Sequence, residues 1–132
     1  MNGDKSIYLE SISPNKRWIV KFIDNGNSGF LYLYKYKPMN KEHTLIDSLW
    51  IYDRLDPPLA EDEKIAVAWN ENSKRVGLFV DNECWGFLDL DRGRKMAAHR
   101  TEHELLSIDN LIWKRGLLNF EGEQLRLEHE AN

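Results

Sequence analysis

The chain has 132 residues, 42% of them apolar and 30% charged, and a formal net charge of −4. That is enough for one domain with its own hydrophobic core, and it excludes wholesale disorder. The acidic balance argues against a general nucleic-acid binder, which needs a basic face to displace counterions from phosphates. A single cysteine, Cys84, rules out an intramolecular disulfide. No stretch reads as a signal peptide or as a membrane helix of roughly 20 apolar residues, so the expectation is a soluble cytoplasmic protein without membrane contact.

The first patterned segment is RWIVKFIDNGNSGFLYLYKYK. Trp18, Val20 and Phe22 alternate with Ile19, Lys21 and Ile23; after an Asn/Gly cluster, Phe30, Tyr32, Tyr34 and Tyr36 alternate with Leu31, Leu33, Lys35 and Lys37. Period-two alternation on both sides of a turn cluster predicts a β-hairpin. Thr44 to Tyr52 reads as a further strand, with a helix as the alternative for so short an apolar run. Pro57 and Pro58 then force a loop, since neither can donate to a ladder. Lys64 to Leu90 predicts a three-stranded meander, and Lys95 to Arg100 extends it. The tail has two readings. Asp109 with Ser107 caps a short helix over residues 111–115 that Gly116 ends, or Leu117–Phe120 and Gln124–Glu128 close a hairpin.

FIDNGNSGFL at residues 22–31 returns as FVDNECWGFL at residues 79–88. A propeller needs at least four blades of about 40 residues, so two copies cannot close one. The repeat therefore encodes two hairpins with the same turn, either by duplication of a unit whose copies pack together or by convergence on turn vocabulary.

No catalytic signature accompanies this pattern. His99 and His103 have an i,i+4 spacing but no third ligand nearby, so no metal site is expected. Cys84 lies between Glu83 and Trp85, the setting of an ordinary thiol. Asp89 and Asp91 share a strand face and read as a solvent-facing edge. No phosphate loop or Ser elbow is present, and no cofactor is implied.

Three surfaces remain. The loop DRLDPPLAEDE carries Asp53, Asp56, Glu61, Asp62 and Glu63, fixed negative charge that suits a basic partner or simply solubilises the loop. Arg92, Arg94, Lys95 and Arg100 form a basic cluster fit for phosphate or an acidic partner. Tyr32, Tyr34 and Tyr36 are adhesive anchors if their face is half-buried, and core packing if it is not.

Ser13-Pro14-Asn15, Trp18, Val20, Phe22, Asp24, Gly26, Gly29 and Tyr32 resemble the opening of a small bacterial family of domains of unknown function. Leu45-Ile46-Asp47, Ile51-Tyr52, Ala68-Trp69 and residues 76–89 are similar to it in order and spacing, so the resemblance spans residues 13–91. It brings no catalytic residues. It implies bacterial origin and the style of immunity proteins, which bind and occlude a cognate toxin.

The expectation is thus a single mainly β domain over residues 1–132, of seven to nine strands in two packed antiparallel sheets, with at most one C-terminal helix. Its expected function is non-enzymatic: neutralising a basic protein toxin, with a nuclease as one such target, through Asp53, Asp56, Glu61, Asp62 and Glu63 and through Tyr32, Tyr34 and Tyr36. The alternatives are a small-ligand sensor or hydrolase with a cleft between the sheets, and a homodimer paired through edge strands.

Overall fold

The structure, a computed structural model, describes residues 6–37, 39, 42–55, 59, 63–100 and 105–127, with backbone alone for Glu42 and Arg100. Strands β1 (Ile7–Ile12), β2 (Trp18–Asp24), β3 (Gly29–Lys37) and β4 (Glu42–Tyr52) pair in sequence order as an antiparallel meander, sheet A. Strands β5 (Ile65–Trp69), β6 (Arg75–Val80), β7 (Glu83–Asp89) and β8 (Arg94–Ala97) form a second meander, sheet B. The short β9 (His99–Arg100) and β10 (Leu105–Leu106) pair with each other. Helix α1 (Asn110–Arg115) follows, and β11 (Glu123–Gln124) closes sheet B against β8. The mainly β, two-sheet expectation holds, and Thr44–Tyr52 is strand.

The repeat is wider than the ten residues that betray it. In the β1–β2 turn the Ser13 hydroxyl accepts from the N–H groups of Arg17 and Trp18. In the β5–β6 turn Asn70 Oδ1 accepts from Lys74 and Arg75, the positions 57 residues later. Lys16 and Ser73, also 57 apart, both take positive φ, at 61° and 62°. The two turns touch, with Asn15 N–H donating to Ser73 Oγ at 2.9 Å.

The hairpin turns differ, however, so the repeated phrase does not specify one turn twice. After β2, Asn25 N–H bonds the Ser28 carbonyl, and Asp24 Oδ1 accepts from Gly26 N–H, making an open loop with Gly26 at φ 117°. After β6, Val80 pairs with Glu83 across Asp81 and Asn82 alone, at φ 50° and 69°. Two consecutive positive φ values are the signature of the tight type I′ turn.

β1 lies against β5, and β4 against β7 and β8, so the sheets are stacked in the same sense. Val20, Phe22, Leu31 and Leu33 of sheet A meet Val76, Leu78 and Leu88 of sheet B, all of them fully buried. The space between the sheets is therefore packed, which leaves no ligand cleft at these residues.

Buried polar groups tie the layers together. Lys95 Nζ on β8 lies 3.0 Å from Asp47 Oδ1 on β4 and donates to the Ser48 carbonyl at 2.7 Å. Asp47 Oδ2 accepts from Arg126 N–H, which holds the C-terminal segment. Burial alone would raise the Asp47 carboxyl, but the Arg126 and Ser48 N–H groups and Lys95 outweigh it and hold it below its ordinary value. Lys95 thus leaves the predicted basic cluster. Asp89 likewise is no solvent-facing edge: it is 0% exposed and accepts from the N–H groups of Arg92 and Leu117.

In the tail the helix reading holds and the hairpin reading does not. Asp109 caps α1 by accepting from Leu111 N–H, and Gly116 at φ 84° ends it. The apolar side of α1 lies on the outward face of sheet B. There Trp113 meets Phe79 and Phe87 edge-on at 5.1 and 5.3 Å, beside Cys84, Ala98, Ile108 and Leu117.

Candidate functional site

Alternation along β3 sends Leu31 and Leu33 into the core and Phe30, Tyr32, Tyr34 and Tyr36 to the opposite face, where each is half-buried. Register aligns them with neighbours on the other strands. One row runs Tyr8–Ile23–Phe30–Trp50, the next Glu10–Lys21–Tyr32–Ser48, and a third Ile12–Ile19–Tyr34–Leu45. Tyr36 and His43 end the face with ring centroids 5.3 Å apart.

Two β-bulges in β4 shape this surface. The register shifts leave Ile46 and Ile51 as the extra residues, and both are buried in the core. The second shift brings Trp50 opposite Phe30, where the rings stack at 5.7 Å and 14°. Phe30 also stacks on Tyr32 at 5.9 Å, while Lys21 Nζ sits 4.6 Å from the Tyr34 ring centroid. Burial, helped by Tyr32, raises the Tyr34 phenol above its ordinary value. At neutral pH it is a neutral donor within an aromatic sheet.

No described residue covers this face. Trp50 is 57% exposed and Tyr8 54%. The stacking sense gives the observation its meaning. Ile19, Lys21 and Ile23 stand 57 residues before Val76, Leu78 and Val80. Val76 and Leu78 pack against sheet A, with Val80 buried on the same face, whereas the former three point away from sheet B, Ile19 buried among its neighbours there. Along β2 the open face of sheet A is thus the counterpart of the face that sheet B buries, but along β3 the correspondence reverses, since Phe30 matches Phe87 beneath α1 and Leu31 matches Leu88 in the core. The aromatic residues stand where a further layer would lie.

The acidic segment is described only in part. Asp53 follows β4 directly, accepts from Ser28 Oγ at 2.6 Å and lies 3.9 Å from Arg54 Nε. Glu63 is half-buried and acts on Tyr52, whose phenol is pushed far up by burial, by its bond to Asp24 and by these nearby charges. Asp56, Glu61 and Asp62 lie outside the described residues. Asp53 thus sits at the Trp50 end of the aromatic face, while Tyr36 lies at the other end. Tyr8, Phe30 and Trp50, which the sequence reading did not single out, complete the tyrosine row.

A family model described as an uncharacterized protein conserved in bacteria (DUF2251) matches residues 1–119. The chain belongs to that family. No curated protein and no solved structure matches it. The match covers sheet A, the whole aromatic face and all of sheet B except β11, beyond the span 13–91 on which the resemblance rested.

Other side chains of interest take structural or unremarkable positions in this family member. Cys84 is buried, and burial pushes its thiol up to about 11, against the Gly86 carbonyl. His99 is exposed on β9, and His103 lies outside the described residues. No group of three metal-ligating side chains occurs among the described residues, and none of their helices is long and apolar enough to cross a membrane. Arg94 is engaged with the Glu121 and Gly122 carbonyls.

Proposed function

We propose that this protein is a non-enzymatic binding protein that receives a protein partner on the open face of sheet A, and that the partner is a basic toxin whose active site it occludes. One observation carries the reading. A sheet face of stacked aromatic side chains stands uncovered by any described residue, while the opposite end of the stack is capped by α1. Aromatic anchors on a rigid sheet are the composition of interface hot spots, since they bury area at little entropic cost. The chain's net charge of −4, with Asp53 at the Trp50 end and Glu63 near Tyr52, favours approach of a basic partner. The choice of a toxin follows the resemblance to immunity proteins of bacteria.

The test is co-expression with the products of neighbouring genes, scored by growth rescue and by direct binding of the purified pair. A toxic, basic neighbour is expected to be neutralised stoichiometrically. Trp50→Arg with Tyr32→Glu is expected to remove rescue without unfolding the protein, and Asp53→Lys with Glu63→Lys to slow association at low salt. Full rescue by the Trp50→Arg, Tyr32→Glu chain would sink the assignment of the face. A second reading, binding of a small ligand, is favoured by a separate feature at the far edge of sheet B.

A further inference from the structure

Beside the β7–β8 turn is an open hollow of about 950 Å³, whose lining includes Arg92, Arg94, Asn119, Phe120, Gln124 and Arg126. Among the described residues it holds three arginines and no carboxylate, in a chain whose net charge is −4. A smaller hollow of about 410 Å³ adjoins it and shares Arg92, Asn119 and Phe120, so the Phe120 ring borders both. Of the flanking acids, Asp91 pairs with one of the hollow's own arginines and Glu121 with Arg115. Asp91 sits 3.8 Å from Lys74 and 3.9 Å from Arg92 Nε. Glu121 is bound to Arg115 at 2.7 Å.

Phe120 is 97% exposed, yet the turn that presents it is pinned. Glu121 N–H bonds the Leu118 carbonyl, and Leu118 N–H donates to Glu121 Oε1. Arg94 donates to the Glu121 and Gly122 carbonyls at 3.0 and 2.8 Å. Gly122, at φ 72°, lies so close to the Lys95 carbonyl that a Cβ would meet it at 2.3 Å. The turn thus presents the ring to water from a hydrogen-bonded backbone, at a hollow that Arg92 and Arg126 also line.

We infer that this hollow binds a small phosphorylated ligand with a planar ring, of the nucleoside-phosphate class. Guanidinium forks match phosphate oxygens in pairs; Arg94 is engaged with the Glu121 and Gly122 carbonyls, which leaves Arg92 and Arg126 to meet the phosphates. Phe120 offers a ring face for stacking, a contact that tolerates any planar base. Asn119 and Gln124 each bring an amide donor and acceptor suited to a ring edge. This site lies away from the open face of sheet A, so it stands or falls independently of the partner proposed there.

Calorimetric titration of the full chain with ADP, inorganic pyrophosphate and adenosine tests it. ADP is expected to bind about 10-fold or more tighter than pyrophosphate, the margin that stacking provides. Adenosine alone is expected to bind far more weakly than ADP. Phe120→Ala is expected to bring ADP down to the affinity of pyrophosphate, and Arg92→Ala or Arg126→Ala to weaken both phosphates together. All three side chains are exposed, so circular dichroism and the urea midpoint should be unchanged. Absence of saturable ADP binding to the folded chain overturns the inference. So does equal affinity for ADP and pyrophosphate that ignores Phe120→Ala, which reduces the site to a phosphate patch. Tighter binding of single-stranded RNA than of ADP, lost in the same variants, also overturns it in favour of a nucleic-acid surface.

Discussion

Lys95 on β8 and Asp47 on β4 form an ion pair that bridges the two sheets, 3.0 Å apart with side chains 11% and 3% exposed. Because Asp47 also receives the Arg126 and Ser48 N–H groups, one carboxylate holds sheet A, sheet B and the C-terminal segment together. Asp47→Ala leaves the ammonium buried without its counter-charge, and such a loss costs about 3–5 kcal/mol. Chemical denaturation checks the value. Asp47→Ala with Lys95→Met is expected to recover part of it.

The same carboxylate sets an acid limit. Its folded pKa lies below the ordinary 3.8, so below that value the unfolded chain binds more protons than the folded one. The stability it contributes is complete above the unfolded pKa and is lost as pH falls through the folded one. Urea midpoints measured from neutral pH down past pH 3.8 should drop more steeply in the native chain than in the Asp47→Ala, Lys95→Met variant. Parallel curves would contradict the argument.

Tyr52 donates its phenol proton to the buried Asp24 carboxylate, and its ring lies over Gly29, where an added Cβ would stand 2.4 Å from Cζ. Burial and Asp24 together raise the phenol far above 10.0. The unfolded chain therefore loses this proton first, and stability declines as pH rises above about 10. Tyr52→Phe leaves an Asp24 oxygen without its donor, at a cost of about 1–3 kcal/mol. In an alkaline absorbance titration it should delete only the last phenolate to appear.

The repeated phrase carries a contrast that sequence could not show. Asn82 at φ 69° serves by its backbone, so Asn82→Gly is expected to be neutral or to stabilise by up to about 1 kcal/mol. Asn25 serves by its side chain, accepting from Ser28 N–H at 3.1 Å, so Asn25→Gly is expected to destabilise by about 0.5–1.5 kcal/mol. Paired urea midpoints decide it. Equal effects at both positions would mean the two turns are alike after all.

Legibility followed the range of the interaction. Alternation within β3 was readable, and with it the split between Leu31, Leu33 and the tyrosines. Trp50 was not, because the extra residues Ile46 and Ile51 break the period of β4 twice. Nor was the burial of Lys95 and Asp89, whose partners Asp47 and Leu117 lie 48 and 28 positions away. The closing hairpin failed for the same reason: Gln124 finds Arg94 on β8 rather than a neighbour in the tail. Local periodicity reports faces, while bulges and distant charge partners are decided in three dimensions.

The stacking sense leads to one more outcome. Sheet A packs one face on sheet B, and sheet B turns its other face toward α1, where Trp113 covers Phe79 and Phe87. Trp113→Ala removes that cover and leaves the chain with two unlike apolar faces open at opposite ends of the stack. Such faces make a heterologous contact that does not close on itself, so head-to-tail chains form as concentration rises. Light scattering is expected to show growth for Trp113→Ala and a monomer-sized particle once Trp50→Arg is added on the opposite face. Growth that persisted with Trp50→Arg would mean nonspecific exposure of the α1 site, and the open face of sheet A would lose its standing as a preformed docking layer.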